Sequence, residues 1–191
     1  IPFIDIAYQG LGEGLDADAY GVRMMADKLP ELLIASSCSK NFGLYRERTG
    51  SISMIAESAE QASMVSSLAA SIARQIYSMP PAHGALLVSL VLSDDQLRAE
   101  WQTELETVRQ RIQSMRTLLA DSINNNRAGV DFSHIKQQRG MFSFLGIAPE
   151  KLHRLREEFA IYIVNSTRIN LAGINSTNID YLSQSIQEVL D

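Results

Sequence analysis

One lysine of this chain stands where it could act as a nucleophile. The sequence has four lysines, Lys28, Lys40, Lys136 and Lys151, and only Lys40 follows directly on a predicted buried strand, in the segment SSCSKNFG. A lysine in that position is partly desolvated, which disfavours the ammonium and leaves the amine available for a Schiff base with a carbonyl compound. The alternative is a lysine that only caps the strand end, and spacing alone favours this second interpretation.

A strand, a helix and a second strand are predicted ahead of Lys40. The short apolar runs IPFID (1–5) and PELLIAS (30–36) flank a segment with helical spacing over 16–28. This order is typical of a parallel βαβ unit, in which ligands bind beyond the carboxyl ends of the strands. Asp5 and Lys40 both lie at such ends, which places them at the ligand-binding edge of the predicted sheet.

Two long helices are predicted in the middle of the chain. After a strand over 51–56, the segment Ser58 to Tyr77 favours a helix that the sequence MPPAHG ends. From Asp94 to about Asn125, apolar residues keep helical spacing without any proline or glycine. A helix of that length exceeds the usual range for a compact domain, so we expect it to join two lobes.

The predicted domains are therefore 1–93, the linking helix 94–126, and a small α+β unit over 127–191. The last unit contains strands over RGMFSFLGI (139–147), IYIV (161–164) and TRINLAG (167–173), and helices over PEKLHRLREEFA (149–160) and TNIDYLSQSIQEVL (177–190).

Composition excludes several classes of protein. The chain has 191 residues, 46% of them hydrophobic, which is enough to bury a core in one or two domains. Its 17 basic and 22 acidic residues give a net charge of -5, which argues against a nucleic-acid partner. The longest apolar runs fall far short of the ~20 residues of a bilayer-spanning helix, so no membrane partner is expected.

The single cysteine, Cys38, cannot form an intrachain disulfide, and its interpretation is a small buried side chain. His83, His134 and His153 form no ligand cluster, so no metal is predicted. These features fit a reducing compartment, and cytoplasm is the expected location. Because Ile1 is not a start methionine, we expect the chain to be a fragment or a processed piece of a longer protein.

The string SCSKNFGLYRERTG (37–50) closely resembles the pyridoxal-phosphate lysine motif of the class I aminotransferases. Further segments are similar to landmarks of the aspartate and bacterial aromatic amino-acid branch, in the same order: IDIAYQG (4–10), YSMPPAHG (77–84), RGMFSF (139–144) and STRINLAG (166–173). The resemblance implies an α/β protein of fold type I, with a large lobe built on a mainly parallel sheet and a small α+β C-terminal lobe joined by a long helix. Residues 1–93 would then be the C-terminal part of the large cofactor-binding domain.

The resemblance also implies roles for individual residues around the cofactor, pyridoxal 5'-phosphate. Lys40 would hold it as a Schiff base and, once the substrate amine displaces the lysine, carry a proton between the substrate α-carbon and the cofactor carbonyl carbon. Asp5 would pair with the pyridine nitrogen, Tyr8 would bind the 3-oxygen, and Ser37 and Arg48 would bind the phosphate. Without the resemblance, Asp5 would be interpreted as a loop or helix cap.

Substrate-binding roles follow in the same way. Arg168 matches the arginine that grips the α-carboxylate, and Phe142 matches an aromatic that lines the pocket, with a core aromatic as the alternative. Arg74 matches the residue that reaches the distal carboxylate in the neighbouring subunit, which implies a homodimer; its alternative is an exposed helical arginine. Thr167 departs from the family, where glycine is more common, and a β-branched residue restricts the backbone beside Arg168.

The implied function is a ping-pong transamination in amino-acid metabolism, between aspartate, glutamate or an aromatic amino acid and 2-oxoglutarate. Competing hypotheses are a decarboxylase or lyase on the same scaffold, a pyridoxal-phosphate-sensing domain of a transcription regulator, and a truncated product kept as a structural partner. Family members are considerably longer than this chain, and their N-terminal half supplies other cofactor contacts. We therefore expect the fragment alone to be inactive.

Overall fold

The computed structural model describes residues 1–125 and 131–190. It divides into two units, Ile1–Glu106 and Thr107–Asp191, and the division falls inside one long helix. The predicted boundary between 126 and 127 lies outside the described residues.

A three-stranded sheet organises the first unit. Its strands β1 (Phe3–Ile6), β2 (Leu32–Ser37) and β3 (Gly50–Ile55) lie in the order β1-β2-β3. β1 and β2 are parallel, with Asp5 opposite Ala35, which agrees with the predicted βαβ order. β3 is antiparallel to β2, with Ser36 opposite Ser51.

Helices connect and follow these strands. The segment predicted as one helix over 16–28 forms α1 (Leu15–Asp18) and α2 (Tyr20–Lys28), separated at Ala19. α3 (Ala59–Tyr77) begins after Ser58, whose hydroxyl accepts a hydrogen bond from the Gln61 N–H at 3.2 Å, as expected of an N-cap. The prolines that follow separate α3 from α4 (His83–Ser93).

α5 (Asp95–Asn125) contributes residues to both units. In the first unit, Leu105 of α5 is buried and packs against Gly10. Gly10 has a φ of +92° and no side chain, and both features favour this contact. A Cβ at Gly10 would lie 2.5 Å from a methyl carbon of Leu105. Glycine at position 10 therefore favours the close approach of the loop after β1 to the helix.

The second unit contains α6 (His134–Gln137), β4 (Phe142–Phe144), α7 (Pro149–Phe159), β5 (Arg168–Asn170), a 3-10 turn (Leu171–Gly173) and α8 (Ile179–Leu190). β4 and β5 are antiparallel, with Phe144 opposite Arg168 and Phe142 opposite Asn170. Completely buried aliphatic side chains, among them Leu119, Leu155 and Ile186, form its core.

The strand predicted over 161–164 is wrong. Ala160 ends α7 in the left-handed region, and the Ile161 N–H then donates to the Leu155 carbonyl at 2.9 Å. The Thr167 N–H likewise donates to the Val164 carbonyl at 2.8 Å. These backbone groups close a helix end and a turn, so they are used locally instead of in a strand ladder.

Candidate active site

Lys40 lies in the loop between β2 and β3, three residues past the end of β2. Backbone hydrogen bonds close this loop at its base and its tip: the Cys38 N–H donates to the Thr49 carbonyl at 3.0 Å, and the Gly43 N–H donates to the Lys40 carbonyl at 3.3 Å. The Lys40 side chain is half-buried, and its Nζ lies 4.5 Å from the centroid of the Tyr8 ring. Within 1–125 and 131–190 this amine pairs with no carboxylate.

Tyr8 follows β1, and a carboxylate organises the loop after it. Asp18 accepts hydrogen bonds from the backbone N–H groups of Gly10, Gly12 and Glu13 at 2.8–2.9 Å. The Tyr8 carbonyl itself accepts from the Leu11 N–H at 3.1 Å. These bonds fix the backbone of the loop that follows Tyr8. The Lys40 amine lies above the Tyr8 ring.

Asp5 lies on β1, with its side chain exposed. In the part of the chain that the structure describes, its carboxylate makes no hydrogen bond or ion pair. An exposed carboxylate of this kind keeps both oxygens available as hydrogen-bond acceptors.

Three residues that sequence reasoning did not assign hold the Lys40 loop. The Asn41 amide donates to the Gln9 carbonyl at 3.3 Å, and the Trp101 indole N–H donates to the Asn41 carbonyl at 2.7 Å. The Phe42 ring stacks on Trp101, with centroids 4.4 Å apart and an angle of 14° between the rings. Nothing in the sequence links α5 to this loop beyond the presence of Trp101 on the apolar stripe of the helix.

Ser37 and Arg48, the predicted phosphate ligands, belong to the two ends of the same loop. Ser37 ends β2 opposite Gly50, and its hydroxyl donates to the Ser39 hydroxyl at 2.9 Å and accepts from the Ser39 N–H at 3.1 Å. Arg48 is exposed, has a φ of +50°, and donates to the Tyr45 carbonyl at 2.9 Å. A hydroxyl and a guanidinium are donors that suit a phosphate dianion.

Cys38 is not activated as a nucleophile in this arrangement. Burial raises the pKa of the Cys38 thiol, which keeps it protonated and poorly nucleophilic at neutral pH. Across the described residues, no group of three or more histidine, cysteine, aspartate or glutamate side chains could hold a metal ion.

In the second unit, Arg168 lies over Phe142. Its guanidinium carbon is 4.7 Å from the centroid of the Phe142 ring, on paired strands. Both side chains line an open cavity of about 490 Å³, together with Asn170, Asn178 and Tyr181. Arg168 is exposed, so its fork of N–H groups can meet a carboxylate in that cavity.

Thr167, immediately before Arg168, has a φ of +64°, in the region that glycine tolerates and β-branched residues avoid. The predicted backbone restriction therefore takes the form of a strained conformation. Two hydrogen bonds hold it: Gly146 N–H donates to the Thr167 hydroxyl at 3.1 Å, and Leu145 N–H donates to its carbonyl at 3.1 Å.

Arg116 of α5 is a further residue that sequence reasoning missed. It is completely buried, and its guanidinium donates to the Ser143 hydroxyl and to the carbonyls of Gly140, Phe142 and Ile135. Burial lowers its pKa, and the charge of Arg139 lowers it further. Its position four residues after Ile112 and three before Leu119, both buried, is the helical spacing that could have found it.

The structure thus brings Lys40 to Tyr8 in one unit and Arg168 to Phe142 in the other. Arg74 lies in the last turn of α3, exposed, and its side chain bonds to none of the described residues. No helix among the described residues is both long and apolar enough to cross a membrane.

Comparison with known proteins places the chain in a family. The model of aminotransferase classes I and II matches residues 1–186. The aspartate aminotransferase of Haemophilus influenzae is 52% identical over 190 residues, which is 100% of this chain and 48% of that protein. The aromatic-amino-acid aminotransferase of Pseudomonas aeruginosa is 46% identical over 189 residues, or 99% of this chain and 47% of that protein.

Solved structures agree. An aromatic-amino-acid aminotransferase from Burkholderia pseudomallei, covalently bound to pyridoxal phosphate, superposes with a TM-score of 0.96 at 44% identity, over 100% of this chain and 48% of that one. The chain spans about half the length of the curated relatives that it matches. With a match that extends over nearly all of its residues, this chain belongs to the family of class I and II aminotransferases.

Proposed function

We propose that the protein to which this chain belongs is a pyridoxal-phosphate-dependent transaminase that exchanges the amino group of aspartate, glutamate or an aromatic amino acid with 2-oxoglutarate. The observation that carries the proposal is the Lys40 amine, unpaired with any described carboxylate, above the Tyr8 ring past the carboxyl ends of two parallel strands. Family membership and the names of its relatives support the same reaction.

The side chains present fit the cofactor chemically. Lys40 offers a primary amine for its aldehyde, and Asp5 offers an exposed carboxylate for its ring nitrogen. Tyr8 offers a phenol for its 3-oxygen, while Ser37 and Arg48 offer donors for its phosphate. When bound, pyridoxal phosphate supplies an electron sink for negative charge at the substrate α-carbon.

Lys40 and Arg168 then have roles in the reaction that their side-chain chemistry can perform. The Lys40 amine would accept the proton that leaves the substrate α-carbon and pass it to the cofactor's carbonyl carbon, which is the proton shift that an amino-group exchange requires. Arg168 binds the α-carboxylate in a bidentate fork, and the Phe142 ring beneath it limits the directions in which the guanidinium can point. The overall exchange swaps an amino group for an oxo group between two acids, so no external oxidant or reductant is needed.

The proposal includes a two-fold homodimer in which Arg74 acts on the neighbouring subunit's substrate. Its exposed guanidinium, without a bond to any residue that the structure describes, is suited to the distal carboxylate of aspartate or glutamate. We also propose that 1–93 is the C-terminal part of the large domain, 94–126 the linking helix and 127–191 the small domain.

Reductive trapping tests the proposal directly. The chain is incubated with pyridoxal phosphate, reduced with borohydride and digested, and the labelled peptide is identified by mass spectrometry. We expect the label on Lys40, its loss in Lys40→Ala and its retention in Lys28→Ala, the matched control on α2. A label divided equally between Lys28 and Lys40 would contradict the proposal.

A single-turnover assay of the intact protein separates the reaction types. Formation of a 2-oxo acid from aspartate without release of carbon dioxide supports transamination. Release of carbon dioxide would indicate a decarboxylase, and binding of the cofactor without any turnover would indicate a sensor domain.

A further inference from the structure

The loop that carries Lys40 is tied to α5 by one aromatic side chain. We propose that Trp101 is a positioning residue for Lys40, acting through a clamp formed by Trp101, Asn41 and Phe42. The inference deepens the proposed function and rests on it, since it concerns how the amine on which that function depends is held in place.

The first contact of the clamp joins residues 60 positions apart. The Trp101 indole N–H donates to the carbonyl of Asn41 at 2.7 Å, a short bond for a nitrogen donor. Asn41 directly follows Lys40, so this bond restrains the backbone at the lysine itself. The loop between β2 and β3 has no helix or strand of its own to provide that restraint.

The second contact is a stacked pair of rings. Phe42 and Trp101 lie 4.4 Å apart and within 14° of parallel, which fixes the rotation of the loop as well as its distance from the helix. One hydrogen bond and one stack on consecutive residues hold a short segment in a single orientation.

A third contact connects the clamp to Tyr8. The Asn41 amide donates to the carbonyl of Gln9, the residue directly after Tyr8, at 3.3 Å. The residue after the lysine is thus bonded to the residue after the tyrosine. The distance of 4.5 Å between the Lys40 amine and the Tyr8 ring therefore depends on where Trp101 holds Asn41.

The Asn41 side chain makes an unfavourable contribution to the free energy of this arrangement. Its side-chain oxygen is buried and has no hydrogen-bond partner among residues 1–125 and 131–190, while its amide nitrogen donates to Gln9. A buried unpaired acceptor destabilises a fold, so the surrounding contacts must compensate for it. The indole bond to the Asn41 carbonyl and the stack of the next residue, Phe42, on Trp101 are the contacts that can do so.

Competitive acetylation measures the clamp without any cofactor. The chain is treated with a trace of acetic anhydride, and the labelling of Lys40 is divided by that of Lys28 in the same sample. Trp101→Phe removes the indole donor and keeps an aromatic ring. We expect the ratio to rise about fivefold in that variant, as for the loss of one hydrogen bond, because the released loop exposes the amine. Trp101→Ala should raise the ratio further.

Gln102→Ala, at the next and exposed position of α5, is the matched control and should leave the ratio unchanged. Far-ultraviolet circular dichroism confirms that each variant is folded. Should Trp101→Ala fail to fold, Trp101→Phe alone decides. An unchanged ratio in folded Trp101→Phe would overturn the proposal.

Reductive trapping with pyridoxal phosphate separates this proposal from the one on which it rests. If wild-type Lys40 is labelled and Trp101→Phe is labelled more slowly at equal cofactor concentration, the clamp is supported. If both are labelled at equal rates, the clamp is wrong and the proposed function stands. If wild-type Lys40 takes no label in the intact protein, the proposed function fails, and the acetylation ratio still decides whether Trp101 positions the lysine.

Discussion

The amine of Lys40 lies above the ring of Tyr8, with the nitrogen 4.5 Å from the ring centroid. The two residues follow the carboxyl ends of β2 and β1, which are parallel neighbours. Their register places Ile6 opposite Ser36, so the two segments leave the sheet side by side. A cation at this distance is attracted to the face of an aromatic ring. The sheet register and the ring together place the lysine that the proposed reaction needs.

The Tyr8→Phe variant distinguishes the role of the aromatic ring from the role of the phenol hydroxyl. The ring face stays, so the acetylation ratio of Lys40 to Lys28 should not change. The phenol is lost, and binding of pyridoxal phosphate should weaken about fivefold, the equivalent of one hydrogen bond of about 1 kcal/mol. An absorbance titration measures the dissociation constant. Tyr20→Phe, at an exposed position of α2, is the control, and equal binding by both variants would show that the phenol has no part.

The two parallel strands next to Tyr8 and Lys40 could be predicted from the sequence because they depend on local patterns of residues. Alternation and apolar runs place the strands that carry Asp5 and precede Lys40, and the parallel order follows from the helix between them. The contact between Trp101 and Asn41 joins positions 60 residues apart, which no local pattern records. The strand predicted over 161–164 is wrong for the related reason that its backbone groups are taken up by a helix end and a turn.

Local sequence patterns also fail to predict which side chains of the long helix α5 are buried. The apolar stripe predicts a buried Leu118, but Leu118 is 43% exposed and Arg116 is completely buried. A charged residue is ordinarily expected on the solvated face of a helix, since burial of a cation is expensive. Four oxygens around Arg116 make its burial tolerable: one comes from Ile135 of α6, and the others come from β4 and from Gly140 just before it.

Arg116→Met should strongly destabilise the second unit. The substitution leaves the Ser143 hydroxyl and several carbonyls without their donor in a dry environment, at a cost of about 3–5 kcal/mol. Arg116→Lys keeps a charge and some donors, so its loss should be smaller. Urea unfolding measures both. Arg156→Met, at an exposed position of α7, is the matched control and should change the free energy of unfolding little.

Thr167 offers a test of backbone strain. Thr167→Val keeps the strained β-branched backbone and loses the hydroxyl that Gly146 binds, so the free energy of unfolding should fall by about 1 kcal/mol. Thr167→Gly loses the same bond, but it releases a left-handed strain of roughly 1–3 kcal/mol. We expect the glycine variant to be more stable than wild type by about 0.5 kcal/mol, after the entropy of glycine is subtracted.

Urea unfolding of the two Thr167 variants in parallel provides the measurement. If the valine variant proves the more stable, the φ of +64° carries no strain.

Cys38 should make the stability of the first unit depend on alkaline pH. Burial raises the pKa of its thiol in the folded chain, so the unfolded chain loses this proton first as the pH rises. The stabilisation is complete below the unfolded thiol pKa, about 8.5, and is lost as the pH rises through the raised folded value. Urea unfolding between neutral pH and pH 10 should show a steeper decline for wild type than for Cys38→Ala, and parallel curves would contradict the burial of the thiol.

Asp18 should be the residue that gives the loop after β1 its shape. Its carboxylate accepts hydrogen bonds from the backbone N–H groups of Gly10, Gly12 and Glu13, and it uses both of its oxygens to do so. Asp18→Ala should lower the free energy of unfolding by about 2 kcal/mol, because the partly buried N–H groups lose charged acceptors. Amide hydrogen exchange at these three residues should accelerate in the variant.

Asp16→Ala is the matched control for that change. Asp16 lies two residues earlier on α1 and pairs with Arg23 at 2.8 Å, but both side chains are largely exposed. An exposed pair contributes about 0–1 kcal/mol, so this variant should leave exchange at Gly10, Gly12 and Glu13 unchanged. Because the loop leads directly from Tyr8, Asp18→Ala should also raise the acetylation of Lys40 relative to Lys28, whereas Asp16→Ala should not. Equal acetylation ratios in the two variants would mean that the Tyr8 ring keeps its place without the Asp18 carboxylate.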